Sequence, residues 1–171
     1  YYAGYKRIFV EDERFEEFPV ALWFPTKQVS KIEHFGPFAL KIALGAKPAN
    51  GKFPLVIISH GSGGTLLGHR DIAQFLAENG YIVAALEHPR NNSKDNSDEG
   101  TTSNWVNRPK HVTSTLDNIL RSKKFVRHID TNKIAVIGHS AGGYTALALL
   151  GAIPDTRQSR LHCQNNGKLD R

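Results

Sequence analysis

The residues in this chain with the clearest capacity for chemistry gather around one serine. Gly138-His139-Ser140-Ala141-Gly142 is a G-x-S-x-G motif. Such a motif carries meaning when a buried strand runs into it and a helix leaves it. The sharp strand-to-helix turn then holds the serine in strained backbone geometry and lifts its hydroxyl clear of the sheet. Glycines at 138 and 142 are needed because a Cβ at either would strike the neighbouring strand or helix. The Ala141 N–H, at the helix start, is expected to face the charge that develops on an attacked carbonyl. A second motif, His60-Gly61-Ser62-Gly63-Gly64, ends an earlier apolar run. The loop after that strand can donate the second amide of an oxyanion hole, with Ser62 N–H the first candidate and Gly63 the next. Two plainer readings compete: a bystander serine in a glycine-rich turn, and a phosphate-cradling loop of a dinucleotide fold. Against the latter, Gly61 and Gly63 call for a third glycine at 66, where Leu66 stands, and no Walker lysine follows.

The elements that must position these motifs follow from the apolar pattern. Pro54 to Ser59, Tyr81 to Leu86 and Lys133 to Ile137 are continuous apolar runs without alternation, the mark of strands buried on both faces. They are expected to be parallel neighbours in the core of one sheet, the last of them running to Gly138. Phe18 to Phe24 and Phe38 to Leu44 read as further strands, stopped by Pro25 and by Gly45. Helices are expected around Ile72 to Leu76, closed by Asn79-Gly80, and around Val112 to Leu120, with Pro109 in the first turn. A third runs from Ala141 to Leu150 and ends at Gly151. Strands alternating with helices predict an α/β class of fold in one domain over residues 1–171. The polar segment Asn91 to Asn104 is expected to be a functional or disordered loop that, with Trp105, overhangs the cleft. It holds a glycosylation sequon, Asn91-Asn92-Ser93.

Several of these runs resemble a known family. His60 to Gly64 through Gly68-His69-Arg70-Asp71, Gly80 to Ala85, Trp105-Val106-Asn107-Arg108-Pro109 and Gly138 to Ala146 look like the predicted dienelactone hydrolase family. That group is close to the platelet-activating-factor acetylhydrolases. The likeness runs from Gly4-Tyr5-Lys6-Arg7 to Leu161-His162-Cys163. It implies a partial α/β-hydrolase fold with a mostly parallel, doubly wound sheet, and a serine hydrolase of small acyl esters or lactones. Ser140 is then the nucleophile that forms an acyl-enzyme, and the Ser62 and Ala141 amides are the oxyanion hole. The supporting residues are His60, Gly61, Gly63, Gly138, His139 and Gly142. Dienelactone hydrolases proper carry cysteine where this chain has Ser140, so lactone specificity does not follow. A second cysteine tends to follow Cys163 in related sequences, which leans localisation towards export. The competing class is a non-catalytic hydrolase-fold module that binds a ligand in the same cleft.

A serine needs a base, and the base an orienting acid, in the order Ser, Asp or Glu, His along this fold. After Ser140 the acids and histidine are Asp155, His162 and Asp170. Asp155 and His162 lie too close together and to the elbow helix to end separate strands, so they read as surface residues. His60, His69, His88 and His111 come before Ser140, and the His139 side chain is expected to point away from it. The triad acid and histidine are therefore expected outside this chain. Residues 1–171 by themselves are expected to be inactive and weakly stable, with one flank of strand 133–138 uncovered. The chain contains no methionine, so Tyr1 is read as something other than the encoded start.

Composition narrows the rest. The 171 residues are 40% hydrophobic and 22% charged, which excludes collagen, coiled coil and wholesale disorder. No apolar run approaches the roughly 20 residues of a membrane span. The net charge of +6 is scattered. Its one cluster, Arg121, Lys123, Lys124 and Arg127, suits the carboxyl end of a helix better than a nucleic-acid surface. No cofactor and no metal are expected: the eight histidines lack paired ligand spacing, and one cysteine cannot build a thiolate zinc site. The expected partner is a small-molecule ester.

Overall fold

The computed structural model describes residues 1–153 and 155–166; of Thr156, Ser159, Arg160, Cys163 and Asn166 only the backbone is described. The Cys163 side chain and Asp170 thus lie outside the described part of the chain. In chain order the elements are β1 (Tyr2–Asp12), β2 (Phe15–Thr26), β3 (Lys31–Phe35), β4 (Phe38–Leu44), β5 (Phe53–Ser59), α1 (Arg70–Glu78), β6 (Ile82–Leu86), α2 (Thr102–Arg121), β7 (Ile129–Gly138), α3 (Ala141–Leu149) and α4 (Thr156–Asn166). One seven-stranded sheet forms in the order β3-β4-β1-β2-β6-β5-β7. The pairs β5–β6, β5–β7 and β1–β4 are parallel, whereas β1–β2, β2–β6 and β3–β4 are antiparallel. It is a mixed sheet, with a parallel region that carries the helices and a mainly antiparallel flank.

β5 is continuously apolar because both of its faces are covered. Leu55 and Ile57 pack with Val112 and Ile119 of α2 on one side. Val56 and Ile58 pack with Ala73 and Ala77 of α1 on the other. β6 divides in the same way, Ile82, Ala84 and Leu86 against Val83 and Ala85. Successive strand residues point to opposite faces, so only an unbroken apolar run can satisfy both layers.

Register sets the site. Ser59 lies opposite Leu86 on one side and Gly138 on the other, so the three parallel strands end level. The segments that leave them rise from one end of the sheet. β5 lies between β6 and β7, so its own crossover leads one way while the next strand joins from the other. Ligand crevices of open α/β sheets form at such a reversal.

Four expectations change. β7 is parallel to β5 and adjacent to it, as its pattern implied, but it stands at the edge of the described sheet and not inside it. Ile134 and Ile137 are 38% and 39% exposed, so its outer flank is open. β1 and β3, not read from the sequence, extend the antiparallel flank. The polar segment ends earlier than expected, because the Thr101 side chain accepts from the Asn104 N–H at 3.1 Å and starts α2 there. Trp105 is therefore a first-turn helical residue, and Pro109 falls inside α2, about two turns from its start, where it removes one backbone hydrogen bond.

The position of β5 between two covered faces sets a stability contrast. Leu55→Ala, at a residue with no exposure, should cost about 3 kcal/mol. Ile134→Ala on the open strand should cost less than about 1 kcal/mol. Urea unfolding of the two variants measures the difference, and equal midpoints would contradict the assignment of β5 as the central strand.

Candidate active site

Ser140 sits where β7 turns into α3, with φ 53° and ψ −119°. A non-glycine residue at positive φ costs on the order of 1–3 kcal/mol, and persists only when its surroundings enforce it. The enforcing contacts are backbone ones. A Cβ on Gly142 would overlap the Ser59 carbonyl and lie 2.9 Å from the His60 carbonyl oxygen; one on Gly138 would overlap the Gly142 carbonyl. α3 therefore starts directly on the end of β5, and the chain reaches it from β7 in two residues, His139 and Ser140. The turn closes with Gly142 N–H on the His139 carbonyl at 2.8 Å and Gly143 N–H on the Ser140 carbonyl at 2.8 Å. Ser140 itself is exposed, whereas Ala141 and Gly142 are buried.

The 60–64 loop lies against this turn. A Cβ on Gly61 would sit 3.2 Å from the Ser140 Cβ and 3.1 Å from His139 Nδ1, so only glycine leaves the approach open. The Gly64 N–H donates to the Gly61 carbonyl at 3.1 Å, and Gly63 has φ 65°, as the third position of a type II turn requires. Ser62 is the exposed second residue of that turn. Among the described residues neither the Ser62 nor the Ala141 amide donates to an acceptor. The Ala141 N–H at the start of α3 and the Ser62 N–H, next to the Gly61 that lies against Ser140, are thus both unengaged.

The polar segment after β6 is ordered, and it braces the loop. Ser93 N–H bonds the Gly64 carbonyl at 2.9 Å. Ser62 Oγ accepts from Asn91 Nδ2 and donates to Glu99 Oε1, both at 2.9 Å. Asn91, the acceptor residue of the sequon, is fully buried. Its Oδ1 also takes hydrogen bonds from Arg108 and from Asn104, the latter at 3.2 Å. It works as an internal hub and leaves no room for a glycan.

Beneath the loop lies a buried polar row that sequence reasoning did not assemble. Arg108 of α2 has no exposure. It donates to Thr145 Oγ1 at 3.1 Å, Asn91 Oδ1 at 2.5 Å, Ser59 Oγ at 3.3 Å and the His60 carbonyl. Ser59 Oγ also hydrogen-bonds His88 Nε2 at 2.8 Å, and His88 Nδ1 hydrogen-bonds His111 Nδ1 at 3.2 Å. His60 Nδ1–H donates to the Gly61 carbonyl at 2.7 Å, and its Nε2 accepts the His88 N–H at 3.1 Å. The His60 ring is thereby held as its Nδ1–H tautomer. Burial, reinforced by the Arg108 charge, lowers His60 to about 4 and His111 to about 3, and pulls His88 well below its ordinary value. Arg108, lowered by burial to about 10, stays charged at neutral pH. The one signal in the sequence was Arg108 within the Trp105–Pro109 run; nothing in the spacing of His60, His88 and His111 marked a cluster.

The remaining candidates lie elsewhere. The His139 ring stands edge-on to His69 at 5.4 Å, and the Trp105 and Tyr144 rings meet at 4.7 Å, joining the first turns of α2 and α3. The Asp155 carboxylate accepts the Arg157 and Gln158 amides, which occupies it as the cap of α4, and His162 is an exposed residue of that helix. Among the described residues no histidine hydrogen-bonds the Ser140 hydroxyl, none forms a metal-ligating cluster with other such side chains, and no helix is long and apolar enough to cross a membrane.

The strand order and the strand–Ser140–helix turn define an α/β-hydrolase domain. The chain belongs to the chlorophyllase family, whose model matches residues 24–159. It is 28% identical over 189 aligned positions to the platelet-activating factor acetylhydrolase of Bos taurus, across 75% of this chain and 43% of that protein. Its fold is similar to that of the ferulic acid esterase from Streptomyces cinnamoneus, with TM-score 0.72, 23% identity, and coverage of 87% of this chain and 55% of that one. The dienelactone hydrolase from Anabaena variabilis superposes with TM-score 0.60 at 16% identity, over 87% and 57%. The chain thus spans about half the length of these relatives.

The neutral histidines give the fold a pH signature. Unfolded, each titrates near 6.5; folded, His60 and His111 titrate near 4 and 3. The unfolded chain therefore binds more protons between these values. Stability is complete above about pH 6.5 and falls on acidification, by up to about 1.4 kcal/mol per pH unit for each histidine. Urea midpoints should hold from pH 7.5 to about 6.5 and decline from there to pH 5, above most carboxylate titration; a profile flat throughout would contradict the buried neutral row.

Proposed function

We propose that this protein is a serine hydrolase that cleaves carboxylic esters through an acyl-enzyme on Ser140. The observation that carries the reading is the strained, exposed Ser140 between two unengaged amides, Ser62 N–H and Ala141 N–H. Strain stored at a single exposed hydroxyl belongs to a nucleophile; a bystander in a turn would relax. In the first step Ser140 Oγ attacks the ester carbonyl while a histidine takes its proton. The carbonyl oxygen becomes an oxyanion and receives the two N–H groups. The C–O bond then breaks, the alcohol leaves with that proton, and water reverses the sequence to release the acid. The histidine is not among those buried beside Ser59, whose nitrogens are engaged, and we assign it to the part of the fold outside the span described. The relatives named for ester cleavage support the reaction class; the acyl and alcohol groups are set by the walls around Ser140, Trp105 and Tyr144 among them.

A fluorophosphonate probe on the natural full-length protein should label it covalently, and Ser140→Ala should abolish the label. An unlabelled protein, or a label that survives that substitution, overturns the reading in favour of a binding module.

Ser62 permits a test of the oxyanion hole, because proline is at home in the second position of its turn and lacks the N–H, while alanine controls for the hydroxyl that both variants lose. Ser62→Pro should lower kcat by on the order of 100- to 1000-fold, whereas Ser62→Ala, which keeps the amide, should lower it less than about tenfold. Equal rates in the two variants would remove Ser62 from the hole.

A further inference from the structure

Arg108 is a fully buried cation that makes no ion pair among the described residues. Burying a charge without a counter-ion is expensive, and a long apolar side chain would fill the same space at lower cost. What the guanidinium has instead is a planar fork, and its donors end on three segments at once. Nε holds Thr145 in α3, one turn past Ser140. One terminal nitrogen holds Asn91, which in turn holds Ser62 Oγ. The other holds Ser59 Oγ and the His60 carbonyl, at the point where β5 becomes the 60–64 loop. Lysine has one charged centre and could not span these acceptors.

The contact with the His60 carbonyl has a geometric consequence. In a trans peptide the N–H points opposite to the C=O, so Arg108 and Gly142 on the carbonyl side turn the Gly61 N–H away from the protein interior. The next peptide is fixed in the same manner. The Gly61 carbonyl is held by Gly64 N–H and by His60 Nδ1–H, which leaves the Ser62 N–H on the other side. Rotation of either peptide would strand a buried guanidinium or a buried imidazole without its partner, a loss that a neutral, exposed loop would not suffer.

We propose that Arg108 is a positioning residue: acting through the His60 carbonyl, Ser59 and Asn91, it holds the 60–62 peptides in the one orientation that presents Ser62 N–H to an oxyanion above Ser140. The inference rests on the reading of Ser140 as the nucleophile, although the clamp itself is measurable without catalysis.

The test uses the natural full-length protein with Arg108→Met, Arg108→Lys and Thr145→Val. Three quantities are read: hydrolysis of p-nitrophenyl acetate, inhibition by a trifluoromethyl ketone that forms a tetrahedral oxyanion on serine, and amide exchange of the 60–64 segment. Arg108→Met should fold, lose about 100-fold in kcat with KM within about threefold, and bind the ketone weaker by a similar factor. Amide exchange of the 60–64 segment should accelerate at least tenfold. Arg108→Lys should recover less than a tenth of the lost rate. A merely structural arginine would lower the melting temperature and leave kcat and ketone affinity in the folded fraction unchanged, which overturns the proposal. Should neither Arg108 variant fold, Thr145→Val decides. It removes one acceptor at nearly constant volume and should lower kcat about fivefold with KM unchanged; an unaltered kcat overturns the clamp. Should the wild type neither hydrolyse the ester nor react at Ser140, the esterase reading falls by itself. The exchange data then judge the clamp, and unchanged exchange at 60–64 refutes it.

Discussion

The contact between the start of α3 and the end of β5 is the constraint on which the site depends. Gly142 lies against the Ser59 and His60 carbonyls so closely that no side chain fits between them. With α3 seated there, and β7 ending level with β5, only His139 and Ser140 bridge strand and helix. Ser140 takes the sharp part of that turn, and its positive φ is the result of a distance and not of its own preference. The same contact brings the helix amino terminus, with its unsatisfied amides, beside the loop that leaves β5. The proposed nucleophile and the proposed oxyanion donors thus share one cause.

The polar row below the loop answers a second difficulty. Backbone in the 60–64 loop is exposed on one side and has no sheet neighbour to fix it, yet an oxyanion hole is effective only when its donors are oriented in advance. Side chains from α2 and from the segment after β6, with His60 of the loop itself, supply the fixation. Arg108, His60, His88 and Asn91 meet with nearly every nitrogen and oxygen engaged, so the row is rigid as well as costly. Neutral histidines suit it because burial penalises a charged ring and the Arg108 cation adds to that, as the lowered pKa of His60 and His111 expresses.

The parallel strands and the elbow were legible because each obeys a local rule that leaves a mark in the sequence. Burial on both faces demands unbroken apolar runs, and the close approach of α3 demands glycines at 138 and 142. The antiparallel flank left weaker marks. β1 carries Lys6, Arg7, Glu11 and Asp12 among its apolar residues, and it is a strand because its long register with β2 pairs its backbone. β3 is short and largely exposed, so little burial shaped its composition. The start of α2 was hidden in a polar stretch, where the Thr101 cap carries the signal and hydropathy carries none. Arg108, His88, His111 and Asn91 escaped for a different reason. Their partners lie on different elements, Arg108 37 residues from Thr145 and 49 from Ser59, and buried charge contradicts the pattern by which cores are recognised. Asn91 stands in a sequon, and three letters do not report that it is buried.

The central claim is that Ser140, held at positive φ by the packing of α3 on β5, works against an oxyanion bound jointly by Ser62 and Ala141. A crystal structure of the natural full-length protein, after reaction with an alkyl phosphonate, tests it most directly. The adduct should be on Ser140 Oγ, with φ of that residue still positive and the phosphoryl oxygen about 2.7–3.1 Å from both amide nitrogens. A phosphoryl oxygen that turns away from Ser62, or a Ser140 relaxed to negative φ in the adduct, would contradict the account.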